Sequence, residues 1–490
     1  MSFPPLRLQQ LPPALALCLA TLLSACATPP PEPPVVSATQ DARFRHAEAT
    51  TPEPDATWWR SFNDAALEAL IRRAQSANHD VRIAVQRVWQ ARAGHTAMAS
   101  RLWPTVALTG SASSERSGLP DQVKQGKPDT RAYRGALDLG WELDVFGAAR
   151  ASADAAELDA LTAEDGVDTA LWLVSSEVAR HYIVWQSARL RLVKLEALLK
   201  AQADTERLTR SRESAGQASR FDVARAAGEV QSLAAQLPPL RTLVAVSETQ
   251  LAVLVGTNPN QPLPELASSG APGLPTPPRL SAKQPVELLL RRPDLRVAQK
   301  QFMAEAARLR ESQADRWPKF FLAAAFGRQD LRLNALDLSP VRYSTAALAF
   351  TMPLFDAGRL RAAVERQSAK ERMATLQYEK AVLGAVKDVD DSLVALAQER
   401  DRSTALDATT RARRTGLHHA ESLHREGQID LLQLIDAQRG VLAAELSAID
   451  GQAQLALNTV QLAQALGGGW QDTPSANTKP PTSLAPESLP

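Results

Sequence analysis

The chain is written twice. Asp80-Val81-Arg82-Ile83-Ala84 matches Asp294-Leu295-Arg296-Val297-Ala298 at an offset of 214 residues, and Ala93/Ala307 and Trp103-Pro104/Trp317-Pro318 keep that offset. Phe146 to Arg150 matches Phe355 to Arg359 at an offset of 209. Gly216-Gln217 matches Gly427-Gln428, and Gly256 matches Gly467, both at 211. Ordered matches with so little drift mark a tandem duplication, so the fold must be built from two similar units. The first spans 55–256 and the second 286–469, joined by a Pro- and Ser-rich linker or equatorial segment at 257–285. The tail at 470–490 is polar and Pro-rich, a composition that favours disorder.

Each copy reads as helix, two strands, long helix, tight turn, helix. In the first long helix, Leu171, Val174, Val178, His181, Trp185, Ala188, Leu192, Leu195 and Leu199 recur at alternating spacings of three and four. Val382, Val386, Val389, Leu393 and Leu396 repeat the pattern, as do Leu442, Leu446, Ile449, Ala453, Ala456, Val460 and Ala463. This is a coiled-coil seam of period 3.5. His181 falls within it and reads as a hydrogen-bonded core histidine. Residues 148–212 predict a helix of about 95 Å, and 65–100 and 220–255 two helices of about 54 Å each. Two short helices end to end match one long one, so the short pair should stack beside it. Pro238-Pro239 should kink the second short helix, because two amide donors are missing there. The matching Ile449-Asp450 allows a straight helix.

Leu137, Leu139, Trp141, Leu143 and Val145 alternate with Asp138, Gly140, Glu142 and Asp144, a strict period of two with one apolar and one acidic face. The other strands are expected near Trp103–Ser113, Trp317–Gly327 and Tyr343–Phe355, with 114–130 and 328–341 as connecting segments facing the cell exterior. Trp103, Trp141, Trp317, Tyr133 and Tyr343 can supply an interfacial aromatic girdle. Strands of about ten residues fit an outer-membrane barrel, and they also fit a soluble sandwich with one wet face. Number constrains the first option: four strands cannot close a barrel in lipid, and open edges are not viable there. At least two chains would have to share one barrel.

The N-terminus reads as an export signal at 1–25, with Arg7 before an apolar stretch from Ala14 to Leu23. Leu23-Ser24-Ala25-Cys26 resembles a bacterial lipobox, which implies cleavage before Cys26 and a lipid on its thiol. Ala27, where an aspartate would imply retention in the inner membrane, implies outer-membrane sorting. Residues 26–54 open with Pro29-Pro30-Pro31-Glu32-Pro33-Pro34, a stiff tether. The two cysteines, Cys18 and Cys26, leave no disulfide framework or thiol nucleophile in the rest of the chain. Lys plus Arg is 55 against 54 for Asp plus Glu, which gives no electrostatic reason to expect nucleic acid. No apolar run after the N-terminus is long enough for a membrane-spanning helix.

Catalytic constellations are missing from the pattern: there is no H-E-x-x-H, G-x-S-x-G or phosphate-cradling G-x-x-x-x-G-K-[ST]. The densest metal candidate, His418, His419, Glu421 and His424, is poorly aligned on a helix and reads as solvated polar residues near its end. No enzyme activity, no metal and no cofactor beyond a covalent lipid on Cys26 are expected.

The chain resembles the TolC-like outer-membrane efflux proteins, in particular their NodT-like lipoprotein branch. Four stretches carry the resemblance: Trp58-Trp59-Arg60-Ser61-Phe62-Asn63-Asp64 with Leu67, Leu70-Ile71 and Asn78; Leu139 to Gly147; Leu289-Leu290-Arg291-Arg292-Pro293-Asp294-Leu295; and Leu466-Gly467-Gly468-Gly469-Trp470. It covers about residues 55 to 470. It implies a mainly α homotrimer whose chains give four strands each to a shared 12-stranded membrane β-barrel, over a periplasmic coiled-coil tunnel. It also implies export of drugs or other small molecules with a periplasmic adaptor and an inner-membrane pump. Two other readings stay open: a lipid-anchored periplasmic coiled-coil scaffold, and the outer-membrane duct of a protein secretion system.

The resemblance places the adaptor contact at two tight turns, so Gly216, Gln217, Gly427 and Gln428 are the tip candidates. Ser219 with Asp222, and Asp430 with Gln433, have capping-box spacing. Some relatives narrow the tunnel with aspartates six and nine residues after the second glycine; here those positions hold Gln433 and Asp436. Their counterparts in the first copy are Asp222 and Arg225. Asp436, repeated by three-fold symmetry, would form a carboxylate ring that attracts cations, and Arg225 would latch the closed state by pairing with an acidic neighbour. The competing reading is that these are solvated groups or caps at helix starts.

Overall fold

A computed structural model describes residues 44–46, 57–116, 118, 130–278, 291–333 and 336–470. Cys26, the signal segment, the tip of the 114–130 connection and the tail from 471 lie outside the described residues. After a 3-10 turn at Trp58–Phe62 come α1 (Ala65–Ala77), α2 (His79–Ala99), β1 (Thr105–Glu115), β2 (Thr130–Leu143) and α3 (Ala148–Ser214). Then follow α4 (Arg220–Ala234), α5 (Leu237–Leu254), the short α6 (Pro264–Ala267), α7 (Pro293–Ala314), β3 (Lys319–Leu333), β4 (Leu336–Thr351), α8 (Arg359–Arg425) and α9 (Leu431–Ala465). The two long helices, α3 and α8, each run for 67 residues.

The chain divides into two compact units that cut across the repeat. One holds Gln90–Leu161 and Gln299–Gln377; the other holds the described parts of Val35–Trp89, Thr162–Ala298 and Tyr378–Pro490.

In the first unit the strands form an antiparallel sheet of order β1-β2-β3-β4, open at β1 and β4. β1 pairs with β2 from Thr105↔Gly140 to Glu115↔Thr130, and β2 with β3 from Leu143↔Phe320 to Thr130↔Leu333. The second hairpin reaches further than its sequence suggested. β3 and β4 stay paired through Leu331↔Leu338 and Leu333↔Leu336, so most of 328–341 is strand. Leucine and charged residues keep alternating through this stretch, which continues the period of two that a strand requires.

In the second unit, each copy's last helix ends on its first. Asn78 caps α2 by accepting from Asp80 N (2.7 Å) and donates to Leu254 O at the end of α5 (2.8 Å). The next turn holds Gly256 at φ +70°, where a Cβ would lie 2.3 Å from Ala77 O. In the second copy, Gly467 packs on the Arg291–Arg292 backbone, and the Arg292 guanidinium donates to Ala465 O (3.3 Å). The short helices therefore stack end to end, as their lengths required. The entry and exit motifs also meet: a Cβ on Gly469 would stand 2.9 Å from Trp58 Nε1. Asp64 caps α1 through Ala66 N and Leu67 N, and its second oxygen accepts from the Tyr182 hydroxyl (2.8 Å). Burial, above all, pushes the Tyr182 phenol well up from its ordinary value.

Most seam positions are buried, with Leu192, Leu199, Val386 and Leu446 half-buried. His181 is half-exposed beside Glu177 (3.7 Å), and Tyr182 takes the core place expected of it. The exchange is confined to this position, since Val178 and Trp185 keep their buried places, and it follows from Asp64 and Gln186 both bonding the Tyr182 hydroxyl. The proline pair acts as expected: α4 stops at Ala234 and α5 restarts at Leu237 with Pro at its first turn, whereas α9 runs unbroken for 35 residues. The linker is firmer than its composition implied. Leu263 and Leu266 are buried, and Glu265 pairs with Arg73 of α1 (3.0 Å).

Candidate functional site

Two features carry the functional argument: the turns between long and short helices, and the open sheet. At the first turn, Gly216 (φ +69°) donates to Glu213 O (2.9 Å) and Gln217 to Arg212 O (2.7 Å). At the second, Gly427 (φ +75°) donates to His424 O (3.1 Å) and Gln428 to Leu423 O (2.8 Å). Both are the left-handed helix ending that favours glycine. All four tip candidates are exposed. Phe221, which the sequence did not single out, is 70% exposed in the first turn of α4, just past the Gly216 turn. Its counterpart in the second copy is Leu432.

Ser219 and Asp222 form a complete capping box. The Ser219 hydroxyl (2.6 Å) and amide (3.1 Å) both donate to Asp222 Oδ2 and hold its carboxyl below the ordinary aspartate range. Asp222 is thus committed to its own helix start. Asp430 makes half of the equivalent arrangement, accepting from Gln433 N (2.9 Å). The Gln433 side chain and Asp436 are exposed on α9. Arg225 makes no ion pair within the chain among the described residues. The pair that joins α4 to α9 lies four residues on: Arg439 donates to Glu229, whose side chain is only 4% exposed against 53% for the arginine. Sequence reading missed it because a lone glutamate in Ala-Ala-Gly-Glu-Val carries no mark of its partner.

His418 and His419 are exposed, and His424 Nδ1 lies 3.1 Å from Ile429 O, so this histidine fastens the second turn. No cluster of three or more His, Cys, Asp or Glu suited to a metal occurs among the described residues. Of the aromatic girdle candidates, Trp103 (73%), Trp317 (55%) and Tyr133 (49%) are exposed. Trp141 instead gives its indole N–H to Leu102 O (3.1 Å), and the Tyr343 hydroxyl accepts from Arg134. No described helix is long and apolar enough to cross a membrane. The sheet carries several large exposed apolar side chains, Leu108 (82%), Leu348 (68%) and Phe350 (71%) among them.

The family model described as "Outer membrane efflux protein" matches residues 70–257 and again 285–468. The chain belongs to the outer membrane efflux protein family. Among similar proteins, the pyoverdine export outer membrane protein OpmQ of Pseudomonas putida is 31% identical, over 94% of this chain and 98% of its own length. Nodulation protein T of Rhizobium leguminosarum bv. trifolii is 28% identical, over 93% of this chain and 97% of its own. The open-state Neisseria gonorrhoeae MtrE outer membrane channel superposes with a TM-score of 0.80 at 26% identity, covering 91% of this chain and 99% of that one. This efflux protein therefore has the fold of the TolC-like channels, and its function is that of an outer-membrane channel component of an efflux system.

Proposed function

We propose that three copies of this efflux protein close one 12-stranded barrel in the outer membrane and export small organic molecules delivered by a periplasmic adaptor and an inner-membrane pump. The observation that carries the reading is the four-stranded sheet with two free edges and exposed Leu108, Leu348 and Phe350. An exposed apolar face suits hydrocarbon, but free edges are tolerated there only when copies close the ring. Cys26 carries the lipid that anchors the mature N-terminus. The turns at Gly216-Gln217 and Gly427-Gln428 receive the adaptor. Asp436, one turn beyond Gln433, faces the lumen, so that three carboxylates at one level favour cations and oppose anions. Arg225 reaches an acidic group on a neighbouring subunit when the duct closes.

Photo-crosslinkers placed at Gln217 and Gln428 in living cells test the reading. The expected adduct contains a periplasmic adaptor from the same cell, and a deletion strain should accumulate a hydrophobic dye that plasmid-borne wild type clears. Adducts with secreted polypeptides and no change in dye accumulation would favour a protein-secretion duct instead.

A further inference from the structure

The repeat predicts residue by residue how one chain meets the next in the shared barrel, an inference that rests on the multi-chain reading above. Inside the chain, the junction between the copies is the β2·β3 pairing. Its register, Leu143↔Phe320, extended three positions past the last pair, brings Phe146 opposite Trp317. Those two rings are stacked, with centroids 5.5 Å apart and planes at 21°. The duplicated counterparts of these residues are Phe355 and Trp103. Among the described residues neither has a ring partner of this kind: Phe355 is 90% exposed and Trp103 is 73% exposed. They flank the two free edges, Phe355 just past the end of β4 at Thr351 and Trp103 just before the start of β1 at Thr105.

We infer that Phe355 stacks on Trp103 of the partner subunit, closing the barrel with the same aromatic clasp that joins the two copies within one chain. The duplication also carries the register across. Trp141 faces Leu322 in the observed pairing. Their counterparts are Phe350 and Leu108, at offsets of 209 and 214. Phe350 of β4 then lies opposite Leu108 of the partner subunit's β1, and Met352 lies opposite Val106 by the same shift. All four are exposed apolar side chains in the single chain, at 71%, 82%, 44% and 65%. The shift thus pairs apolar with apolar at both positions, and cross-strand pairs of this kind stabilise a sheet. The alternative register is a slip of two, because the hairpins of the two copies differ by that much. Thr105 faces Gly140, but Lys319 faces Thr351 and not the Ala349 that the offset of 209 would give. A slip of two keeps side chains on the same faces, so burial alone does not select between the registers.

Cysteine cross-linking in the full-length protein, purified from outer membranes, decides between them. Leu108→Cys combined with Phe350→Cys should give a disulfide-linked trimer on oxidation, while either substitution alone gives none. Phe350→Cys with Val106→Cys or with Gly110→Cys should cross-link poorly; efficient linkage there in preference to Leu108 overturns the register. For the clasp, Trp103→Ala and Phe355→Ala should each lower the temperature at which the trimer dissociates in SDS. The double variant should fall no further than the lower single one. Full additivity would mean that the rings do not touch and would overturn the stack. If the wild type runs as a monomer in native mass measurements, the shared barrel fails, and the clasp fails with it. An intact wild-type trimer with the wrong cross-links removes this inference alone.

Discussion

The ion pair between Glu229 and Arg439 should behave asymmetrically. The glutamate is almost fully buried, whereas about half of the arginine side chain reaches solvent. Arg439→Ala leaves a buried carboxylate without its cation. Breaking a buried pair from one side costs about 3–5 kcal/mol, and water reaching the arginine side argues for the lower end, about 3 kcal/mol. That is a shift of about a hundredfold or more in the local opening of α4 from α9. Glu229→Ala strands only an arginine that can turn to water, and should cost about 1 kcal/mol, or roughly fivefold. Removing both should cost less than Arg439→Ala alone, because no charge is left buried. Hydrogen exchange of the α4 amides (Arg220–Ala234) reads this directly, with single-channel opening in planar bilayers as a second readout. Equal acceleration in the two single variants, or more in Glu229→Ala, would refute the reasoning that burial of the carboxylate sets the strength of this contact.

Gly256→Ala should prevent stable folding of the second unit, because it forces a side chain to φ +70° and 2.3 Å from Ala77 O; a mature protein of normal yield and melting temperature would contradict the stacked junction. The Asp222 cap should be pH-dependent. Its carboxyl is held below the ordinary range, so its contribution is complete above about pH 4 and is lost as the pH falls through the lowered value. Protection of the first amides of α4, taken relative to their intrinsic exchange rate at each pH, should fall on acidification in wild type, and in Ser219→Ala it should already be low at neutral pH. Cys26→Ala should leave an unprocessed or unlipidated chain by mass spectrometry; an intact signal segment on the wild type would defeat the lipobox reading. Asp436→Ala should change both conductance and block by divalent cations, and unchanged values would take Asp436 out of the lumen.

How much the sequence revealed depended on whether a feature was periodic or pairwise. The duplication, the seams, the two glycine turns, the Ser219 box and the helix break before Pro238 all follow from local spacing, and the structure places them as expected. The second hairpin extends past the expected strands Trp317–Gly327 and Tyr343–Phe355, through Gly327 and Pro340. Pro340 falls at the register shift between Gln329↔Val341 and Leu331↔Leu338, where proline is tolerated, and the leucine alternation runs past both residues. His181 was misplaced by one position, since a seam of period 3.5 identifies a face but not which of two adjacent residues finds polar partners. The Leu-Arg-Arg-Pro-Asp-Leu motif was recognised without its reason. Its Arg292 is buried against Asp294 (2.8 Å), Asp388 (3.3 Å) and the Trp172 ring, while Arg296 bridges to Asp165 and Asp168 over Trp470. Such partners lie up to 174 residues away in sequence, from Arg296 to Trp470, and no local pattern encodes them. Glu229 with Arg439 is invisible for the same cause.

The central claim, that several copies share one lipid-embedded barrel, is tested most directly by electron cryomicroscopy of the full-length protein purified into lipid nanodiscs. The account predicts three copies around one axis, with β4 of each chain hydrogen-bonded to β1 of the next and twelve strands crossing the lipid. Single chains whose four-stranded sheet lies outside the lipid, held to it by the N-terminus alone, would contradict it.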